Sequence, residues 1–393
     1  MDFVGRFFDF PDQSCFLLGP RGTGKSTWLK ARIPDATYLD LLNPQLLREL
    51  EAFPERLRDH IGVGNNPHTV VIDEIQRAPG ILPVIHAVLE APDSPRFIMT
   101  GSSARKLRRS GTNLLGGRAL QRHMHPFMAA ELPSFQLEHA LVHGMIPLIV
   151  ASESSWEVLQ AYINLYVDEE VRTEALTRNV DAFLRFLEAV SFSHASLLNV
   201  SNVARTCHVQ RKVVQSYISI LSDLLLSFTL PVFERRAKRA TVVHSKFFFF
   251  DTGLFRTLRP TGLIDQPEEI GGLALEGLVA QHLRAWSEYR SDGSDIYFWR
   301  TRAGSEIDFV VYGGVDFIAL EVKNASSIQA TDVRVLRTFV CDYPEASNVL
   351  LYRGESAKVV RDVTCIPVTK FLQNLRPDRT ISEVIGLSLA QNN

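Results

Sequence analysis

The chain has no apolar run approaching the roughly 18 to 20 residues that a membrane-spanning helix requires, and the segment Met145 to Ala151 is short and broken by Pro147. No membrane partner is expected. Asp2 and Arg6 interrupt the N-terminus where the apolar centre of a signal peptide would lie, so no secretory leader is expected either. Cysteine is scarce: Cys15, Cys207, Cys341 and Cys365 stand singly, without the close pairs that ligate metals or build a disulfide framework. They read as reduced thiols, and a cytoplasmic location is expected. Net charge is nearly absent as well, since 42 Lys and Arg face 44 Asp and Glu. That balance argues against a uniformly basic coat for nucleic acid, so any such contact must come from local patches. What is present is a chain of 393 residues, 46% hydrophobic, with a mean hydropathy of +0.01. It is long enough for two or three domains, each with its own core.

The most specific feature is Gly19-Pro20-Arg21-Gly22-Thr23-Gly24-Lys25-Ser26-Thr27, which fits the phosphate-binding pattern G-x-x-x-x-G-K-[ST]. Cys15 to Leu18 before it reads as a short buried strand, and Ser26 to Ile33 after it as a helix stopped by Pro34. Gly19, Gly22 and Gly24 let backbone N–H groups, with those of Thr23 and Thr27, turn towards phosphates at the positive end of the helix. Lys25 is expected to reach the β- and γ-phosphates and Ser26 to ligate magnesium. Thr69-Val70-Val71-Ile72-Asp73-Glu74 supplies the acidic end of a second buried strand. There Asp73 is expected to hold magnesium through water and Glu74, one residue on, to orient or deprotonate the attacking water. Arg96 to Ser103 offers a third strand whose polar end, at Thr100 or Ser102, could sense the γ-phosphate. Gly116-Gly117-Arg118 presents an arginine on a loop, either an ordinary surface charge or a finger completing a neighbouring subunit's site.

The chain divides near residues 135 and 255. Ser155 to Val190 is helical in pattern and supplies core stripes. The stretch Ala129 to Glu153 mixes Pro, Gly and His with apolar residues and carries no motif. Ser201 is expected to cap a short helix through Cys207, followed by a tight turn at His208-Val209 and a longer two-faced helix. Val213, Val214, Tyr217, Ile218, Leu221 and Leu224 form its apolar side; Arg211, Lys212, Gln215, Ser216, Ser219 and Ser222 form the other. That polar side suits either a DNA-reading helix-turn-helix or plain solvation. Two strands follow, Leu226 to Phe233 and Val242 to Phe250, joined by Arg235-Arg236-Ala237-Lys238-Arg239. This basic turn sits where a wing would lie and predicts salt-sensitive, largely sequence-independent binding to DNA.

The last third carries a second constellation. Glu276 lies in the helix Leu273 to Trp286, Asp308 on a strand, and Glu321-Val322-Lys323 ends the next strand with Glu321 and Lys323 on one face. Asp308 and Glu321 could hold a divalent cation, with Lys323 stabilising charge and Glu276 as auxiliary. This is the arrangement of the restriction-endonuclease-like PD-(D/E)XK fold, although Ile307 stands where the named motif has proline, and D…ExK also occurs in sheets by accident.

Taken together, Phe10 to Phe371 resembles prokaryotic AAA+ ATPases that join a P-loop domain to a winged helix and a C-terminal nuclease-like domain. The resemblance is carried by Gly19 to Thr27, Val70 to Gln76, Thr100 to Ser103, Gly117-Arg118, Phe249 to Leu254, Phe298 to Thr301, Glu306 to Phe309 and Glu321 to Lys323. It implies an α/β fold in three parts. Residues 1–135 form an ASCE-type (AAA+) parallel sheet with the sensor strand between the two Walker strands, 136–255 a helical and winged-helix domain, and 256–393 a restriction-endonuclease-like α/β domain. It also implies ATP with Mg2+ as the cofactor, and a second Mg2+ or Mn2+ at the nuclease-like site. No second sensor arginine is evident. The expected function is a DNA-binding ATPase that translocates, unwinds or remodels duplex or branched DNA as a homo-oligomeric ring such as a hexamer. The alternatives are an ATP-gated, metal-dependent nuclease and a nucleotide-dependent switch that binds DNA or protein.

Overall fold

The structure, a computed structural model, describes residues 4–61, 69–103, 114–167, 180–235, 239–290 and 292–390, without the side chains of 114–115 and 165–167. These fall into two compact units, the smaller comprising Phe8–His125 with Ser219–Leu226 and the larger the remainder. Within the smaller unit, five strands form a wholly parallel sheet: β1 (Cys15–Leu18), β2 (Thr37–Asp40), β3 (Thr69–Asp73), β4 (Arg96–Gly101) and β5 (Leu120–His123). Their order is β2-β3-β4-β1-β5. The near-continuous apolar runs of β1, β3 and β4 suit strands covered on both faces. Alternate residues Phe16, Leu18, Val70, Ile72, Phe97 and Met99 enter one core with Leu50, Leu57, Ile81 and Ile85 from the flanking helices. β4 lies between β1 and β3, the sensor-strand position implied by the family resemblance. An open parallel sheet gathers its functional groups at the carboxyl ends of its strands, and Gly19, Asp73 and Gly101 all lie there.

The larger unit contains two sheets. Strands β6 (Ser196–Leu197), β7 (Ser227–Leu230) and β8 (Lys246–Phe249) form an antiparallel sheet in the order β6-β8-β7. Helices Val200–Thr206 and Arg211–Asp223 precede β7. Asn199, rather than Ser201, caps the first of these helices by accepting from the Asn202 N–H at 3.0 Å. A side chain two residues earlier is the one that meets the first free N–H groups. The turn between the helices holds His208 at φ 55°. In the second helix Val214, Tyr217, Ile220 and Leu221 are buried, whereas Arg211, Lys212, Gln215, Ser216, Ser219 and Ser222 are exposed.

The second sheet has six strands: β9 (Asp295–Arg300), β10 (Glu306–Gly313), β11 (Asp316–Lys323), β12 (Ser347–Tyr352), β13 (Lys358–Val360) and β14 (Val363–Pro367). Their order is β13-β14-β12-β11-β10-β9, antiparallel from β9 to β11 and parallel through β11, β12 and β14. The helix Pro267–Arg290 contributes Leu275, Leu278, Val279, Leu283 and Trp286 as fully buried residues. The chain between β7 and β8 runs along edge strand β9. The Phe233 N–H donates to Phe298 O at 2.7 Å and the Val242 N–H to Arg300 O at 3.1 Å. This pairing covers an edge that would otherwise present free backbone groups. Phe233 is buried in the core of the six-stranded sheet with Trp299, Phe339 and Tyr343. The chain on both sides of residue 255 belongs to the larger unit.

Candidate nucleotide site and a buried charge cluster

The phosphate loop begins where β1 ends. The Gly19 N–H donates to Gly101 O at 3.1 Å, tying the loop to the end of β4. A Cβ at Gly19 would stand 2.6 Å from Met124 O, so only glycine fits. Gly22 and Gly24 have φ of 76° and 85°, a region that glycine enters without strain. Thr23 Oγ1 donates to Pro20 O at 2.8 Å and fixes the bend. Gly24 opens the helix α1 (Lys25–Arg32), and no side chain caps it. Its N-terminal end, with the helix dipole behind it, thus suits an anion. Lys25 is buried, with Nζ donating to Gly19 O at 2.6 Å and Pro20 O at 3.2 Å, so its ammonium lies folded over the loop. Ser26 is half-buried and Thr27 exposed at the start of α1. Glycine cradle, uncapped helix and buried ammonium fit a nucleotide triphosphate with its magnesium.

Asp73 ends β3, buried, and bonds through Oδ1 to the Thr100 hydroxyl and through Oδ2 to the Tyr38 hydroxyl. Burial and this carboxylate push the Tyr38 phenol well above its ordinary pKa, so Tyr38 remains a donor at neutral pH. Glu74 adopts φ 60°, and its N–H donates to Thr100 Oγ1 at 3.1 Å. Gln76 Nε2 donates to Glu74 Oε2 and, at 3.0 Å, to Ser102 Oγ. The two sensor candidates thus divide their contacts: Thr100 holds Asp73 and the Glu74 backbone, while Ser102 holds Gln76. Tyr38 and Gln76 were given no role from sequence. A tyrosine on the strand beside β3, in register with Val71, is the available signal for the first. Arg118 is exposed and pairs with Glu90 at 3.0 Å and His86 at 3.0 Å.

Glu276, Asp308, Glu321 and Lys323 also come together, but around a residue that sequence reasoning read only as part of an apolar strand. Lys246, on β8, has a fully buried side chain. Its Nζ lies 2.8 Å from Glu276 Oε1, 2.5 Å from Glu306 Oε1 and 3.4 Å from Asp308 Oδ1. The register of β9 and β10 shifts between Ile307 and Val310, an irregularity that spans Asp308. Asp308 Oδ2 accepts from the Val322 N–H at 2.9 Å, Glu306 Oε2 from Arg300 at 2.8 Å, and Glu321 Oε1 from Lys323 at 2.7 Å. Burial opposes the Lys246 ammonium, but Glu276, Asp308 and Glu306 outweigh it and raise its pKa above that of an ordinary lysine. Burial and the Asp308 charge push the carboxyls of Glu276 and Glu321 up. Among the described residues no group of three or more His, Cys, Asp or Glu could hold a metal ion. At the site expected to take a second Mg2+ or Mn2+, Asp308 Oδ1 instead faces the Lys246 ammonium and Glu321 Oε1 that of Lys323. A single lysine at the head of the buried run Phe247 to Phe250 was the overlooked signal.

Of the residues expected to meet DNA, Arg211, Lys212 and Gln215 are exposed. Arg235 stacks over Tyr312 at 4.6 Å and Arg239 pairs with Asp342 at 2.7 Å. Arg236 and Lys238 lie outside the described residues. Among the described residues no helix is long and apolar enough to cross a membrane.

Comparison with known proteins divides the chain in three. Residues 11–133 match a family model described as an AAA domain, and residues 134–265 and 271–371 match two domains of unknown function, DUF8612 and DUF4143. Uncharacterized proteins of Mycobacterium bovis (Mb2031c) and Mycobacterium tuberculosis (Rv2008c) are each 25% identical over 370 residues, covering 91% of this chain and 80% of theirs. Among solved structures, a Signal Transduction ATPase with Numerous Domains (STAND) protein with a tetratricopeptide repeat sensor from Pyrococcus horikoshii is 13% identical. That match covers 72% of this chain but only 46% of the other, with a TM-score of 0.24. The parallel sheet and the glycine cradle agree with the match of residues 11–133 to an AAA domain, and with the nucleotide binding that such a domain implies.

Proposed function

We propose that this chain is a magnesium-dependent ATPase that couples ATP hydrolysis to remodelling or movement of DNA, acting as a ring of identical subunits. The observation that carries the ATPase half is the bonded set Asp73, Thr100 and Glu74 at the carboxyl ends of β3 and β4, beside the glycine loop. Magnesium, when bound, neutralises charge on the transferring phosphate; Ser26 and Asp73 are the residues to hold it. Lys25 leaves the Gly19 and Pro20 carbonyls to meet the β- and γ-phosphates. Glu74 takes up a proton from the attacking water at its carboxylate, and Thr100 fixes the backbone on which that carboxylate stands. Gln76 holds Glu74 until substrate binds.

The DNA half rests on the exposed row Arg211, Lys212 and Gln215 at the start of a helix, preceded by a short helix and followed by strands β7 and β8 of an antiparallel sheet. Arg118, exposed on its loop, is the residue proposed to reach a neighbouring subunit's phosphates. ATP turnover measured against protein concentration, with and without duplex or forked DNA, tests the reading. Turnover per chain should rise with concentration and again with DNA. A fully active monomer indifferent to DNA refutes the coupling and the ring.

A further inference from the structure

We infer that Lys246 is a built-in cation: its ammonium holds Asp308 and Glu276, which the sequence reading placed at a divalent-metal site, so the six-stranded domain of this chain neither binds such a metal nor cuts DNA. The inference stands apart from the ATPase reading, since none of its residues belongs to the nucleotide site.

The argument is one of donors and acceptors. An ammonium has three N–H donors and no acceptor. Lys246 Nζ has three carboxylate partners, from Glu276 on the long helix and from Glu306 and Asp308 on β10. The remaining oxygens of β10's two carboxylates are taken too, Glu306 Oε2 by Arg300 and Asp308 Oδ2 by the Val322 N–H. Magnesium takes six oxygen ligands in near-octahedral geometry, several of them waters, and is anchored by one or two carboxylates; manganese takes a similar oxygen shell. Neither can share Glu306 Oε1 and Asp308 Oδ1 with an ammonium lying 2.5 Å and 3.4 Å away. Glu321 Oε2 is buried without a hydrogen-bond partner. It is a single oxygen, and Lys323 occupies its twin at 2.7 Å. Nor can Lys246 withdraw to solvent. Its stem is set by β8, where it pairs with Leu197 on one side and Leu230 on the other, and Nζ lies 5.8 Å from the centre of the Phe298 ring.

The lysine thus ties three elements together, β8, the helix Pro267–Arg290 and β10, in the way a structural metal would. Removing its charge while keeping the carboxylates should recreate a vacancy for a real cation. The experiment uses the full chain without nucleotide, titrated with Mn2+ and followed by electron paramagnetic resonance, alongside a plasmid-cleavage assay in Mn2+. Wild type should show no manganese signal that depends on Asp308, and no cleavage. Lys246→Ala should gain one manganese per chain, and Lys246→Ala with Asp308→Asn should lose it again. A wild-type chain whose bound manganese, or whose DNA cleavage, disappears on Asp308→Asn overturns the inference. So does a folded Lys246→Ala chain that remains indifferent to manganese. If Lys246→Ala does not fold, the comparison of wild type with Asp308→Asn decides alone, an Asp308-independent result supporting the inference.

Discussion

Replacing Gly144 with alanine tests how the motif Phe250-Asp251-Thr252-Gly253 is used. Gly144 ends the helix Leu137–His143 at φ 79° and ψ −167°, a combination essentially confined to glycine, and an L-residue held there is strained by about 1–3 kcal/mol. An added Cβ would also fall 1.8 Å from Asp251 Oδ1 and 2.6 Å from its Cγ, so Asp251 must move. Asp251 is fully buried; it accepts from the Met145 N–H at 2.7 Å and the Gly253 N–H at 2.9 Å and caps the helix Thr252–Leu258. Two buried N–H groups left without an acceptor add about 1–3 kcal/mol each. Gly144→Ala should therefore destabilise the larger unit by roughly 3–9 kcal/mol, a large share of the ~5–15 kcal/mol that a typical domain has. Urea unfolding followed by the fluorescence of buried Trp286 and Trp299 measures it. Asp251→Ala should lose the two bonds but make room for the new methyl group. Adding Gly144→Ala to it should then cost only the backbone strain, about 1–3 kcal/mol, leaving a coupling energy of several kcal/mol in the double-mutant cycle. A loss below about 1 kcal/mol for Gly144→Ala, or plain additivity with Asp251→Ala, refutes the reasoning.

Three further expectations concern the nucleotide site and one buried histidine. Glu74→Gln should retain ATP binding while turnover falls about 10²–10⁴-fold, the usual contribution of a positioned base; unchanged turnover would show that another group prepares the water. Lys25→Ala should weaken ATP binding about 10–100-fold, the worth of one charge-assisted bond, and an unaltered dissociation constant by calorimetry would contradict its role. His282 is neutral and doubly bonded, accepting from the Ala129 N–H at Nε2 (2.9 Å) and directing Nδ1 to Leu278 O (2.7 Å), and burial pulls its pKa down to about 4. A depressed histidine contributes stability above its unfolded pKa of 6.5 that is lost as pH falls towards 4, here about 3 kcal/mol. His282→Gln should start less stable at pH 7 and lose less than wild type between pH 6.5 and 4 in thermal melts. Parallel losses would mean that the ring titrates normally.

What was legible in the sequence is local. The glycines, Lys25 and the acidic end of Thr69 to Glu74 announce themselves because phosphate chemistry imposes residue types at fixed spacing over a few positions. The sheet order could be expected only through family resemblance, since nothing in β1, β3 and β4 encodes which strand lies between the others. Long-range charge was not legible. Lys246 meets Glu276 thirty positions away and Asp308 sixty-two away, distances at which no periodicity carries a signal. Arg235 and Arg239 read as a bare basic turn, yet their partners Tyr312 and Asp342 lie beyond the next domain boundary expected from the sequence. The helix cap moved from Ser201 to Asn199 because several capping residues crowd Asn199 to Asn202, and only the backbone path selects among them.

The strand that carries Lys246 bears on how the molecule can be taken apart. A fragment beginning at residue 271, as the last family match would suggest, would keep Glu276, Glu306 and Asp308 but forfeit the ammonium that neutralises them and the phenylalanine, Phe233, that plugs the core beneath β9. Such a piece would expose an unpaired sheet edge next to clustered negative charge, a recipe for insoluble expression. Dissection of the larger unit should follow its contacts rather than its homology borders, starting upstream of β6.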